Sequence, residues 1–136
     1  RRARRLADGG GMSADWAILR LQPGIPRRQL AGLQPHPALA DPARPVTMAG
    51  YSRDSGIGDG GRVLSFHPDC AITDSRPALG ETDCTAFKGA AGGAVIPLST
   101  QGEPLVCGVI SQGNGNGRST YVPLEAFRKS LRRHLR

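Results

Sequence analysis

The stretch Cys84-Thr-Ala-Phe-Lys-Gly-Ala-Ala-Gly-Gly-Ala-Val95 constrains this chain most. Gly89 and the pair Gly92–Gly93 bracket Ala90 and Ala91, and a β-type run, Ala94–Ile96, follows. Glycine at 89 admits a positive φ, and glycine at 92 and 93 lets other segments approach closely. Successive backbone N–H groups in such a turn can point at one spot and hold an anion or a developing oxyanion. The chain around it has 19 Gly and 11 Pro but only 4% aromatics. That composition suits short strands joined by many turns better than a helical bundle. With 136 residues, 38% of them hydrophobic, the chain is one domain or part of a larger one and can bury a core.

Strand periodicity recurs along the sequence. Residues 1–6 read as the end of an exposed strand, and 7–13 as a loop around three consecutive glycines. In Ala14–Leu21, Ala17, Leu19 and Leu21 alternate with Trp16, Ile18 and Arg20, with Asp15 at the head. On its own, that aspartate fits a turn or a cap. Residues 23–45 hold six prolines and form an irregular connector. Pro45–Tyr51, Arg62–His67 and Asp69–Thr73 read as strands, Ser52–Gly61 as a hairpin loop and Asp74–Thr82 as a loop. Gln101–Pro104 is a turn before the strand Leu105–Ser111, and Gly113–Gly117 is a hairpin loop before the strand Ser119–Val122. From Pro123, Leu124, Phe127, Leu131 and Leu135 recur at helical spacing.

The net charge of +7 sits at the two ends: four arginines lie in residues 1–5 and five basic residues in the last nine. The middle keeps nine basic residues against all 11 acidic ones, so no central basic groove is expected, and no nucleic-acid partner. No apolar run approaches membrane-spanning length, and no secretory leader follows Arg1–Arg5. Three cysteines without a C-x-x-C pair make a zinc site unexpected. A Cys70–Cys84 disulfide would close a short loop and imply an oxidising compartment. Cys107, in an apolar run, is either a buried thiol or the partner of a cysteine that this chain lacks.

Several of these segments together resemble the trypsin-like serine proteases. Gly89-Ala-Ala-Gly-Gly-Ala-Val95 resembles the family's G-x-S-G-G-P-V motif, with Ala91 in the place of the nucleophilic serine. Asp15-Trp-Ala-Ile-Leu-Arg-Leu21 is similar to the strand headed by the triad aspartate. Gly108-Val-Ile-Ser-Gln-Gly113 is similar to the strand after the nucleophile, where the serine, here Ser111, bonds that aspartate. The Tyr121-Val122 strand and the closing helix follow in the family's order. The resemblance implies an all-β, chymotrypsin-like double β-barrel with a C-terminal α-helix. Residues 1–22 would be the last strands of the first barrel, 23–45 the linker, and 46–136 the complete second barrel with its helix. The smaller bacterial relatives, secreted or periplasmic, fit best.

The resemblance assigns Asp15 to orient a base, and the amides of Gly89 and Ala91 to an oxyanion hole. It places the substrate pocket between Thr85–Lys88 and Ser111–Gly113. Neither segment carries a carboxylate, so a small or polar pocket is expected rather than one for Arg or Lys. No cofactor and no metal are implied, and the partner is a protein or peptide substrate. The family's histidine precedes its aspartate, whereas His36 and His67 follow Asp15. The base is therefore expected on an N-terminal segment missing from this chain, and His67 is expected to be a locally hydrogen-bonded surface or core residue. A methyl group at 91 cannot attack a carbonyl, and loss of the nucleophile costs on the order of a millionfold in turnover. The chain as written is expected to be silent, either as a disabled endopeptidase or as a pseudoprotease that binds peptides. A third expectation is a basic β-rich protein that binds anionic partners through its termini.

Overall fold

The computed structural model describes residues 1–9, 15–53, 58–86 and 89–135. Seven strands form one antiparallel sheet: β4 (Val46–Gly50), β5 (Ser65–Cys70), β6 (Ile72–Ser75), β7 (Gly80–Thr82), β8 (Ala94–Pro97), β10 (Gly108–Gly113) and β11 (Ser119–Pro123). Their order across the sheet is β5-β4-β8-β10-β11-β7-β6. The two outer strands, β5 and β6, are consecutive in the chain and joined by Ala71 alone, so the sheet curls into a nearly closed barrel. Closure leaves little unpaired edge. At the junction Asp69 takes φ 57°, Ala71 N–H donates to Asp83 Oδ1 (2.7 Å), and a Cys70–Cys84 disulfide ties β5 to the segment after β7.

Alternation in β4 and β8 sends Val46, Met48 and Val95 inward, where they pack with Ile72, Ile110 and Tyr121. The Tyr121 ring passes directly over two glycines. A Cβ at Gly80 would stand 2.0 Å from Tyr121 Cζ, and one at Gly108 would stand 2.5 Å from its Cδ2. Burial pushes the Tyr121 phenol well above its usual range.

Two smaller sheets flank the barrel. β1 (Arg2–Asp8) and β2 (Ala17–Gln22) form an antiparallel hairpin, and β3 (Gln34–Pro35) pairs in parallel with β9 (Leu105–Val106). The hairpin is anchored by a second cluster. Trp16 and Ile18 pack with Val106, Val109 and Leu131 against Val122, Leu124 and Phe127. The rings of Trp16 and Phe127 stack with centroids 4.9 Å apart. The other face of β2, Leu19 and Leu21, is exposed.

Four expectations change. The strand expected from Arg62 begins at Ser65, because Asp59–Gly61 forms a 3₁₀ turn that Arg62 and Val63 extend with bonds to Asp59 and Gly58. The loop expected over 74–82 holds most of two short strands. Only Arg76–Leu79 is the turn, closed by reciprocal bonds between its ends. The strand expected over Leu105–Ser111 is split at Cys107, whose N–H donates to Val95 O (2.9 Å). The closing helix starts later than expected: Pro123 ends β11, Leu124–Ala126 is a 3₁₀ turn, and α1 spans Arg128–His134. It keeps the apolar stripe as far as Leu131, while Leu135 is exposed. An Arg128–Glu125 ion pair, with Arg128 also donating to His36 O (2.8 Å), fixes its first turn.

Candidate functional site

Local structure builds the site from three directions. Asp15 directly precedes Trp16, whose ring is held on Phe127 and whose carbonyl accepts from Gly9 N–H (3.1 Å). The anchoring of Trp16 therefore places the carboxylate beside β10. Ser111 is the unpaired residue of a β-bulge, since Ile110 pairs with Tyr121 and Gln112 with Thr120. A bulge re-aims the extra side chain. Here it turns Ser111 Oγ to donate to Asp15 Oδ2 at 2.8 Å, across 96 residues of sequence.

The glycine turn is the third component. Gly89 takes φ 95°, and a Cβ there would lie 2.9 Å from Tyr51 O. Gly93 could carry no Cβ either, with Ala49 O at 2.3 Å. Gly92 N–H donates to Ile110 O, Ile110 N–H to Gly93 O, and Gly93 N–H to Ala90 O, which fixes the turn on β10. The amides of Gly89 and Ala91 donate to no group among the described residues. Both residues are exposed.

Two cavities meet at Ala91 and Ile110. One, of about 560 Å³, is lined by Ala86, Gly89, Ile110, Ser111, Gln112, Gly113 and neighbouring residues of the 114–115 turn. The other, of about 730 Å³, holds Asp15 and the Arg5–Asp8 ion pair (2.7 Å), with Ala17 and Leu19 on its wall. Asp15 and Ala91 thus face one cleft, as do Ser111 and Gly113. Thr85 does not line either cavity. Its Oγ1 accepts from Gly117 N–H at 3.0 Å. Lys88 lies outside the described residues.

None of the three histidines lines either cavity. His36 Nδ1 shares a 2.6 Å contact with Ala38 O. His67 departs from its expectation of a local bond: Nε2 is enclosed without a partner among the described residues. Cys107 is a free, buried thiol pushed up to about 12 by burial, so the reading as a buried thiol holds. No group of three His, Cys, Asp or Glu among the described residues is placed to hold a metal ion.

Arg5 and Asp8 sit one bulge apart on a strand that reads as solvated, and Asn114 and Gly115 read only as hairpin loop. The register shift between Arg5 and Ala7 brings Asp8 opposite Ala17, and no periodicity reveals it. These features define a mostly-β protein whose nearly closed antiparallel barrel carries a glycine turn, a carboxylate–hydroxyl pair and two adjoining cavities in one cleft. No protein-family model and no curated protein matches the chain. No helix among the described residues is long and apolar enough to cross a membrane.

Proposed function

We propose that this chain is a trypsin-like serine endopeptidase domain that lacks its nucleophile and binds peptides or proteins in the cleft rather than cleaving them. In this reading the nearly closed barrel is the second barrel of a chymotrypsin-like pair, the β1–β2 hairpin belongs to the first, and residues 23–45 link them. The observation that carries it is the 2.8 Å bond from Ser111 to Asp15, formed in a cleft that Ala91 also lines. A carboxylate oriented in this way suits an imidazole placed between it and position 91, and the unpartnered amides of Gly89 and Ala91 suit a polarised carbonyl. That imidazole is a base supplied by a segment other than residues 1–136.

The chemistry available to these residues is binding and polarisation. Asp15 accepts from the hydroxyl, the turn donates to a carbonyl or carboxylate oxygen, and the adjoining cavities take flanking side chains. Ala91 has no lone pair to attack with, so no acyl-enzyme forms. The Cys70–Cys84 disulfide supports a secreted or periplasmic setting, where such bonds persist. The test is an Ala91→Ser chain expressed with the coding sequence immediately upstream and exposed to a fluorophosphonate probe. Labelling at position 91 supports the endopeptidase lineage. A folded, unlabelled protein that still binds peptides in the cleft supports a pseudoprotease. A folded protein that does neither removes the reading.

A further inference from the structure

We propose that the groove between β2, the 32–35 segment and α1 binds a long-chain carboxylate, its hydrocarbon tail inside and its headgroup on Arg27. Alternation along β2 separates this groove from the cleft: Leu19 lines the cavity that holds Asp15, whereas Ile18 lines this one. The inference is therefore independent of the peptide reading above.

The groove encloses about 620 Å³, a volume typical of small-molecule sites. In its lining Leu124 and Phe127 are buried, Ile18, Val109 and Leu131 are half-buried, and Leu33 and Leu135 are exposed. The result is apolar surface left against water, and a ligand that covers it gains in proportion to the area it removes. A peptide suits these walls poorly. Its amides would leave water for side chains that carry no polar atom, and an amide buried without a partner is costly. A hydrocarbon chain has no such group.

Charge at the rim selects the headgroup. Among the described residues Arg27 is the one charged residue of the lining, and it enters no ion pair with any of them. The register of the β1–β2 hairpin adds two more arginines at this end. Arg20 lies two residues beyond Ile18, on the same face of β2, and its cross-strand partner is Arg4. Like charges directly opposite one another destabilise a strand pair, and a nearby anion relieves that repulsion. A carboxylate therefore meets cations at the rim while its chain covers the leucines.

The test is a titration of the unaltered chain with octanoate, decanoate and dodecanoate below their micelle concentrations, beside methyl dodecanoate as the uncharged form. Trp16 is the only tryptophan of the chain and stacks on Phe127 at 4.9 Å, so its fluorescence reports a ligand that reaches Phe127. Amide NMR shifts locate that ligand. The expected result is a saturable fluorescence change, with shifts confined to β2, β9 and residues 32–35 and 124–135. Each added pair of methylenes should tighten binding about tenfold. Arg27→Gln, at an exposed side chain, should weaken dodecanoate about fivefold and leave methyl dodecanoate unchanged. Leu33→Asp, also at an exposed position, should weaken both. The chain-length series on the unaltered chain stands as a test even if a variant fails to fold. No saturable binding, equal affinity for acid and ester, or affinity independent of chain length overturns the proposal. So do shifts spread over the whole barrel, and so does binding to phosphatidylglycerol vesicles alone, which would make this face a bilayer contact. The peptide reading of the cleft is untouched by these outcomes, since the Ala91→Ser chain tests it separately.

Discussion

Removing the Cys70–Cys84 bond tests how the β6–β7 hairpin is held against β5. The two sulfurs close a loop with a sequence separation of 14, spanning β6, the Arg76–Leu79 turn and β7. Loop-closure entropy for that length corresponds to about 3 kcal/mol at 25 °C, lost when the cross-link is removed. Both cysteines are buried, so Cys70→Ala with Cys84→Ala also leaves small voids and makes the loss slightly larger. For a chain of this size about 3 kcal/mol lowers Tm by roughly 10 °C. The assay is urea denaturation of the double variant beside the parent, paired with a thiol count. In the folded, non-reduced parent Cys107 is buried, with its thiol pushed up to about 12, so a thiol reagent at pH 8 finds no reactive group. Denaturation without reductant exposes that single thiol, and denaturation with reductant exposes all three. Three reactive thiols before reduction would mean that the bond does not form. A double variant within about 0.5 kcal/mol of the parent would mean that ladder bonds and the Ala71–Asp83 contacts already hold the loop, and the entropic argument would fail.

Other perturbations test the parts separately. Ser111→Ala leaves Asp15 without its donor, and because that carboxylate is exposed the expected loss is only about 1 kcal/mol by urea denaturation. A loss above about 3 kcal/mol would show that the bond is part of the core rather than of the cleft. Trp16→Ala removes the stack on Phe127, worth about 1 kcal/mol beyond its area. Hydrogen exchange in β1 and β2 should rise while the barrel amides stay protected, and equal protection of both would refute the anchoring role. Gly80→Ala drives a methyl into the Tyr121 ring and should cost more than about 3 kcal/mol, with partial recovery in Gly80→Ala/Tyr121→Val. Stability should fall as pH rises from about 9 towards 12. The unfolded Cys107 thiol loses its proton near 9.0 and the folded one only near 12, so the folded state binds more protons across that window. Cys107→Ala should flatten the decline, and an unchanged slope in denaturation curves at several pH values would contradict the burial argument.

Where one segment carries its own signal, the sequence reads through to the structure. The glycine turn, the alternating strand β2, the β10–β11 hairpin and the pairing of Cys70 with Cys84 all have local signatures. The bond from Ser111 to Asp15 was foreseen only through resemblance, because no local rule joins residues 96 apart. What escaped depends on contacts between segments. β6 and β7 are too short and too polar to show alternation, and they are strands because β11 and the Tyr121 ring over Gly80 hold them there. The helix starts late because a proline that could begin a helix instead ends β11, pairing with Gly108.

The same distinction governs the site. A turn rich in glycine is common, and an aspartate before an apolar strand is commoner still. Neither says that the two share a cleft. They come together here because Trp16 stacks on Phe127 and a bulge turns Ser111 outward, two packing facts invisible to periodicity. The 115–119 loop and the 84–86 segment likewise lie side by side only through contacts between segments, the bonds of Gly117 N–H to Thr85 Oγ1 and of Ser119 Oγ to Cys84 O. Asn114 and Gly115, which read as ordinary hairpin loop, thereby line the cavity beside Ala91.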